Sequence, residues 1–456
     1  MIIFWDITHA CNFRCKHCYN HSLYFSTDAL RRVSLAEQEV FAIAENIIRS
    51  RAQRVHFLGG EPLLYKPLLK LVRYLSNEGV VVSVNTNGSL LTPEYSKQLI
   101  GAGIGGITVS LDGATPESND LVRGMGAFWQ AISGIEAFIA ARNSLSAAVP
   151  IAIGFTLTRP GIETIDGLVP LAISLGVDQL NVQYLSDFGG AGQAEVKRLI
   201  GYTTDEAMHA LESLVDQARN LGVLDKLILD TRPLFSYYIK LKYGVIITND
   251  LQAPPVCEGG VSQINIRADG TVHPCSPADD LWGGSAISRG AFTKQGLRLT
   301  EKQIHEIQSS EYFTSFRAFV EQREQLQSRP STCKGCPYKD NCMPCPLDIK
   351  PGEEVEECRW VKEQLFIIES KILKKKFTFN KYTLLSNDQV VDTRSHAEYS
   401  VNETGSELLV LLERGLRLRD IVNIVHEKYA IPFSQAKHDV LDFASGLVAS
   451  GLGSFN

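Results

Sequence analysis

The N-terminal stretch Ile2-Ile-Phe-Trp-Asp-Ile-Thr-His-Ala-Cys11-Asn-Phe-Arg-Cys15-Lys-His-Cys18-Tyr19 sets an apolar run directly before three cysteines spaced C-x3-C-x2-C. The run reads as a first strand, and the cysteines fall in the loop that leaves it. Cysteine thiolates hold iron–sulfur clusters, and a cubane takes four ligands. Three thiolates therefore leave one iron a position for something else. A zinc site can share this spacing, so the residues around the triad carry the decision.

Outward from the triad, the chain to about residue 186 repeats one unit, a β-branched strand followed by a polar helical stretch. Strands are predicted at Ile2–Thr8, Arg54–Leu58, Val80–Asn85, Gly106–Ser110, Pro150–Leu157 and Asp178–Tyr184. Helices are predicted at Ser34–Ser50, Lys66–Asn77, Pro93–Ala102, Phe128–Arg142 and Glu163–Leu175, the first opened by a Ser34/Glu37 capping box. Near-continuous apolar strands alternating with helices specify a parallel sheet covered by helices. Six such units make an open, partial (β/α)6 TIM barrel. Sheets of this kind carry their chemistry in the loops at the strand C-termini. Cys11–Cys18, Gly59-Gly-Glu-Pro62, Asn85-Thr-Asn-Gly88 and Ser110-Leu-Asp-Gly113 follow strands one to four in turn.

The 456 residues suffice for two or three domains. A net charge of −6 argues against a general nucleic-acid or anionic-membrane binder. No apolar run reaches the ~20 residues of a membrane span. The strand at Ile2 leaves no room for a signal peptide, so a cytoplasmic location is expected, where thiols stay reduced. All ten cysteines fall into two sets, at 11–18 and 257–358. Ligand roles are expected for them rather than disulfides.

The ordered motifs over residues 2–186 resemble the radical S-adenosylmethionine (SAM) superfamily. The resemblance implies that the open iron at Cys11, Cys15 and Cys18 chelates the amino and carboxylate groups of SAM, whose reductive cleavage gives a 5′-deoxyadenosyl radical. It implies that Gly59, Gly60, Glu61 and Pro62 receive the SAM amine, which suits a carboxylate, on a backbone freed of Cβ atoms. It places His17 against the adenine, and Ser110 and Arg123 on the ribose and carboxylate. Asp112, Asn85, Asn87 and Leu185 complete the expected cofactor-binding set. An electron donor such as flavodoxin or ferredoxin is implied.

Cys333-x2-Cys336-x5-Cys342-x2-Cys345, with Cys358 after twelve intervening residues, Cys257 upstream and Gly270-x4-Cys275 after a hairpin that starts at Gln263–Arg267, forms the second set. One or two zinc ribbons would use similar residues. The pattern resembles the SPASM domain, which carries two auxiliary [4Fe–4S] clusters, although that family writes the last gap of the dense run as x3. The resemblance assigns Cys333, Cys336, Cys342 and Cys358 to one cluster, and Cys257, Cys275 and Cys345 to the other. The second lacks an eighth cysteine. Its last position falls to substrate, water or a carboxylate such as Glu258, or the cluster is smaller. Sulfatase-maturing members carry a basic aspartate directly after the Gly-x4-Cys cysteine. Ser276 stands there in this chain, which argues against that reaction.

Residues 187–256 read as a connecting region with loops at Gly189-Gly-Ala-Gly192 and Pro254-Pro255 and a helix at Asp205–Asn220, and 257–376 as the auxiliary-cluster domain ending in a connector helix, Arg359–Lys375. Residues 377–456 read as a small, winged-helix-like α+β unit. It has strands at Phe377–Leu385, Gln389–Asp392 and Glu398–Val401, then helices at about Glu403–Glu413, Leu418–Tyr429 and Pro432–Ser450, with Asn402 as a cap. This order, the Asn402-Glu-Thr-Gly405 start and the Leu408-Leu-Val-Leu-Leu412 helix resemble the PqqD-like peptide-recognition element. It implies a precursor peptide whose leader adds as a strand beside Glu398–Val401. The expected function is a radical SAM/SPASM peptide maturase forming a thioether or carbon–carbon cross-link. The alternatives are an enzyme acting on a small molecule or tetrapyrrole, and a non-catalytic iron–sulfur scaffold.

Overall fold

A computed structural model describes residues 1–20, 35–185, 190–247, 257–276, 299, 303–325, 329–333, 335–342, 345, 347, 352–386 and 389–456. Ser34, Gly189, Pro254 and Pro255 lie outside the described residues. Strands β1 (Ile2–Thr8), β2 (Arg54–Gly59), β3 (Val81–Thr86), β4 (Gly106–Ser110), β5 (Ile151–Thr156) and β6 (Gln179–Gln183) pair in sequence, all parallel. Their C-terminal ends therefore share one edge. Two additions widen this six-strand sheet. β7 (Leu227–Leu229) pairs parallel with β6, and β8 (Gln263–Ile266) pairs parallel with β1 and turns back into β9 (Val272–His273). The hairpin that separates Cys257 from Cys275 is thus part of the same sheet.

The strand period of two sorts the side chains. Ile3, Trp5, Val55, Phe57, Val82, Val84, Ile107, Val109, Ile151, Ile153, Phe155, Leu180 and Val182 make one fully buried apolar face. The helix Glu37–Arg49 buries Val40, Ile43, Ala44 and Ile47, one stripe of an amphipathic helix. Burial of each such Ile or Val contributes about 1.5–3 kcal/mol. The other sheet face is polar. His56, Ser83, Thr108, Ser110 and Asn181 are half-buried there, and Asn85 and Gln183 are exposed. The strands are therefore not apolar on both sides.

Several helix ends differ from the sequence reading, the connector helix among them, which runs Glu356–Ile372 rather than Arg359–Lys375. The first helix begins at Glu37, where Glu39 rather than Glu37 accepts the N–H of the cap residue Ala36 at 2.8 Å. The stretch around Glu163 breaks into Arg159–Ile162 and Leu168–Leu175, because Thr158 caps an earlier start and Thr164 Oγ1 turns aside to accept Ala114 N–H at 3.2 Å.

The described chain divides into two compact units that do not follow chain order. One joins residues 1–230, 256–329 and 343–351, and the other joins 231–255, 330–342 and 352–456. In the second, the helix Pro233–Tyr243 packs against both Glu356–Ile372 and Phe433–Ala449, and Tyr338 bridges it to the last of these through Tyr237, His438 and Asp442. The predicted first C-terminal strand splits in two. β10 (Phe377–Phe379) pairs with β14 (Gly453–Phe455), while β11 (Thr383–Leu385), β12 (Gln389–Asp392) and β13 (Ala397–Ser400) form an antiparallel sheet in which, among the described residues, β13 pairs only with β12. Asn402 Oδ1 caps the following helix by accepting Gly405 N–H at 2.8 Å. Among the described residues no helix is long and apolar enough to cross a membrane.

Candidate functional site

The cysteine loop leaves β1 and is held from three sides. Lys16 N–H donates to Val122 O at 2.9 Å, and Lys16 Nζ bonds Leu121 O, so the C-terminal end of the helix Pro116–Arg123 seats the loop. Gly190 N–H donates to Cys18 O at 2.8 Å, and a Cβ at Gly190 would stand 2.1 Å from Lys16 O. Only glycine allows that approach. Asn12 Oδ1 accepts Asn87 Nδ2 at 2.9 Å, while Asn12 Nδ2 donates to Ser89 at 2.8 Å.

Burial pushes the three thiols up, Cys15 to about 11 against the pull of Arg123, and Cys18 to about 12 with the charge of Cys15 adding to the effect. The Cys11 thiol is raised as well, chiefly by burial. Thiolates here need a metal bound directly to sulfur. Three half-buried thiols share one short loop, each within electrostatic reach of the others, a donor set of the right type and number for three irons of a cubane, while among the described residues no three such groups stand close enough to hold a single ion.

Gly59 and Gly60 serve the chain's own backbone. Gly60 N–H donates to Thr8 O and Glu61 N–H to Ala10 O, both at 2.7 Å, and a Cβ at Gly60 would fall 2.0 Å from Ala10 O. The missing side chains let the β2 loop run against the start of the cysteine loop. Glu61, 1% exposed, caps the turn that begins at Pro62. Its Oε1 accepts Leu63 N–H at 3.1 Å and Thr86 Oγ1 at 2.6 Å, and its Oε2 accepts Asn87 N–H at 2.8 Å. One acceptor position of Oε2 is left. Burial raises the Glu61 carboxyl, opposed by these bonds. Asn85 and Asn87 part company, since Asn85 is exposed on the polar face and Asn87 is buried.

Asp112, fully buried, is the hub of a second cluster. Its Oδ1 accepts Thr156 N–H at 2.9 Å and its own N–H donates to Asn119 at 2.9 Å. Arg123 Nε lies 2.7 Å and His17 Nε2 3.0 Å from Oδ2. Burial alone would raise the Asp112 carboxyl, but Arg123 and then His17 hold it well below its ordinary value. The Arg123 approach is oblique and makes an ion pair without an aligned hydrogen bond. Arg123 Nη1 is 4.0 Å from Cys15 Sγ. His17 Nδ1 is buried without a hydrogen-bond partner among the described residues. Ser110 is half-buried at the end of β4, and Leu185 donates its N–H to the Tyr202 hydroxyl at 3.0 Å. Asn12, Ser89, Asn119 and Thr156 are not among the expected site residues, and Thr86 and Gly190 enter only as members of the 85–88 and 189–192 loops. Most carry no signal beyond a polar or small residue near a strand end, and Asn119 lies inside the helix Pro116–Arg123.

The second set of cysteines parts by unit. Cys333, Cys336, Cys342 and Cys358 lie in one, Cys257, Cys275 and Cys345 in the other. Burial raises the Cys342 thiol to about 11 and the Cys358 thiol well above normal, and Cys336 adds to both. Arg232 opposes both shifts, and it is tethered through its N–H to Glu357 at 3.0 Å. Cys257 and Cys275 pack with Leu347, two residues past Cys345, against buried Phe316 and Val320. Between the two cysteine-bearing segments of the first unit, Arg267 Nη1 pairs with Asp6 Oδ2 at 2.6 Å, Tyr19 donates to Asp6 Oδ1 at 2.8 Å, and Arg267 Nη2 donates to Ser276 O at 3.3 Å.

The profile of the Radical SAM superfamily matches residues 5–152, that of an iron-sulfur cluster-binding domain, SPASM, residues 257–337, and that of coenzyme PQQ synthesis protein D residues 390–452. Mycofactocin maturase MftC of Mycobacterium tuberculosis is 30% identical over 290 residues, covering 63% of this chain and 68% of that protein. AdoMet-dependent heme synthase of Methanosarcina barkeri is 26% identical over 356 residues, covering 75% of this chain and 90% of that protein. SuiB of Streptococcus suis bound to S-adenosylmethionine aligns with a TM-score of 0.54 at 16% identity, over 77% of this chain and 76% of that one. Bound to its precursor peptide SuiA, it aligns at 0.52 and 15% identity, over 77% and 75%.

Proposed function

The chain belongs to the radical SAM superfamily, and from that premise we propose that it is a maturase that cross-links a ribosomally made precursor peptide through a thioether or carbon–carbon bond. Cys11, Cys15 and Cys18 hold the first cluster, and Glu61 gives its spare acceptor position to the SAM ammonium. His17, Ser110, Asp112, Arg123, Asn85, Asn87 and Leu185 line the rest of that site, on the scaffold of Gly59, Gly60 and Pro62. When bound, the cluster and SAM supply a 5′-deoxyadenosyl radical competent to abstract hydrogen. Cys333, Cys336, Cys342 and Cys358 hold one auxiliary cluster and Cys257, Cys275 and Cys345 the other, giving three in all. A flavodoxin or ferredoxin supplies the electron.

The observation that carries the peptide reading is β13, an exposed strand paired on one side only among the described residues, within the region that matches coenzyme PQQ synthesis protein D. An unpaired edge offers main-chain donors and acceptors to an extended peptide. The heme synthase relatives favour a tetrapyrrole substrate instead. A labelled leader from a candidate precursor encoded near the gene separates the two by fluorescence anisotropy. The leader is expected to bind, and N-methylation at alternate positions, which removes donors, weakens binding about tenfold. A leader that does not bind, or binds equally well when N-methylated, counts against the edge.

A further inference from the structure

The second cysteine set divides four and three, and a cubane at the triad Cys257, Cys275 and Cys345 lacks one ligand. The helix Glu311–Glu324 lies along Cys257 and Cys275 of this triad. Phe316, Arg317, Val320 and Glu324 fall at spacings that share one helix face. Phe316 and Val320 are fully buried and contact Cys257 and Cys275. Arg317 Nη1 donates to the carbonyls of Cys257 at 2.8 Å and Gly259 at 3.2 Å. At the far end, Glu324 Oε1 accepts the Cys257 N–H at 3.3 Å. The half-buried Glu324 carboxylate is thus held beside the first thiol of the triad, and its Oε2 has no partner among the described residues.

Glu258, the carboxylate suggested by the sequence, is placed differently. It is exposed, and its backbone carbonyl, not its side chain, is what the chain uses, accepting the N–H groups of Val261, Ser262 and Gln263.

We propose that Glu324 supplies the fourth ligand, through a carboxylate oxygen, to the auxiliary cluster of Cys257, Cys275 and Cys345. This rests on the reading above that those thiols hold an iron–sulfur cluster. A hard oxygen donor on iron is more exchangeable than a soft thiolate. The corresponding iron is then the one position of this cluster that a substrate donor can enter.

The test uses the full chain, reconstituted anaerobically, as the parent, Glu324→Gln, Glu324→Cys and Glu258→Gln. Iron content, Mössbauer spectra and the electron paramagnetic resonance of the reduced protein are compared. Glutamine still accepts the Cys257 N–H, so a purely structural Glu324 would leave Glu324→Gln indistinguishable from the parent. As a ligand, Glu324→Gln changes the spectrum of one auxiliary cluster or loses its iron. Glu324→Cys then restores the iron with an all-thiolate spectrum, and Glu258→Gln matches the parent. Spectra and iron unchanged in Glu324→Gln overturn the proposal, as does a Glu324→Cys protein that loses the cluster. A parent holding only about four irons instead of about twelve overturns the auxiliary-cluster reading itself, and the proposal with it.

Discussion

At the residue scale the candidate site depends on buried charges that answer one another. Asp112, fully buried, faces Arg123 and His17, themselves about nine-tenths buried. Removing one member of such a pair costs about 3–5 kcal/mol. Asp112→Asn is therefore expected to lower the unfolding midpoint and loosen the cysteine loop that Arg123 touches, visible as faster iron release to a chelator. Unchanged stability and iron release would refute that role. Gly190→Val puts a side chain where Lys16 O already stands 2.1 Å from a Cβ position. Iron content is expected to fall by about four per chain, one cubane, and a full complement would contradict the packing. The cysteines, Glu61 and Arg123 were legible in the sequence because their chemistry is rare and their spacing local. Asn12, Thr86, Asn119 and Thr156 were not. Asn12, Thr86 and Thr156 act through partners brought near by the sheet, as Asn12 meets Asn87 across 75 positions, and Asn119 reaches Asp112 from the helix that follows it.

At the element scale six strands were legible from β-branched runs between turn signals, and their ends fall within two residues of those expected. β7 is three residues long, too short to show a period, and β8 finds β1 only through tertiary contact. That contact brings Arg267 to Asp6, both almost fully buried. Asp6→Asn is expected to cost about 3 kcal/mol, and the Asp6→Leu/Arg267→Met double variant less, since no charge is then left unpaired. A double variant worse than the sum of its singles would refute this. On the polar face of β2, burial and then Arg54 lower His56 to about 4. The unfolded chain then binds more protons than the folded one between pH 6.5 and 4, so stability is full above that window and declines as pH falls through it. At most about 3 kcal/mol is involved. His56→Gln is expected to flatten the pH dependence of the urea midpoint there, and an unaltered slope would contradict the assignment.

At the scale of the whole molecule, the alternation of strand and helix made the barrel legible, and the cysteine count exposed the missing eighth ligand. The division into units was not legible, because residues 231–255 and 330–342 join the C-terminal residues only in space. For this reason a clean deletion of 377–456 is a poor test. It would strip Tyr338 of Asp442 and His438, and Glu369 of Lys437. The central claim is that a radical made at Cys11, Cys15 and Cys18 acts on a peptide. The direct measurement incubates the reduced, reconstituted protein with SAM and the encoded precursor, and follows 5′-deoxyadenosine and peptide mass together. Deoxyadenosine formed in step with a peptide lighter by a pair of hydrogens is the expected result. SAM cleaved while the peptide keeps its mass, or no deoxyadenosine at all, would contradict it.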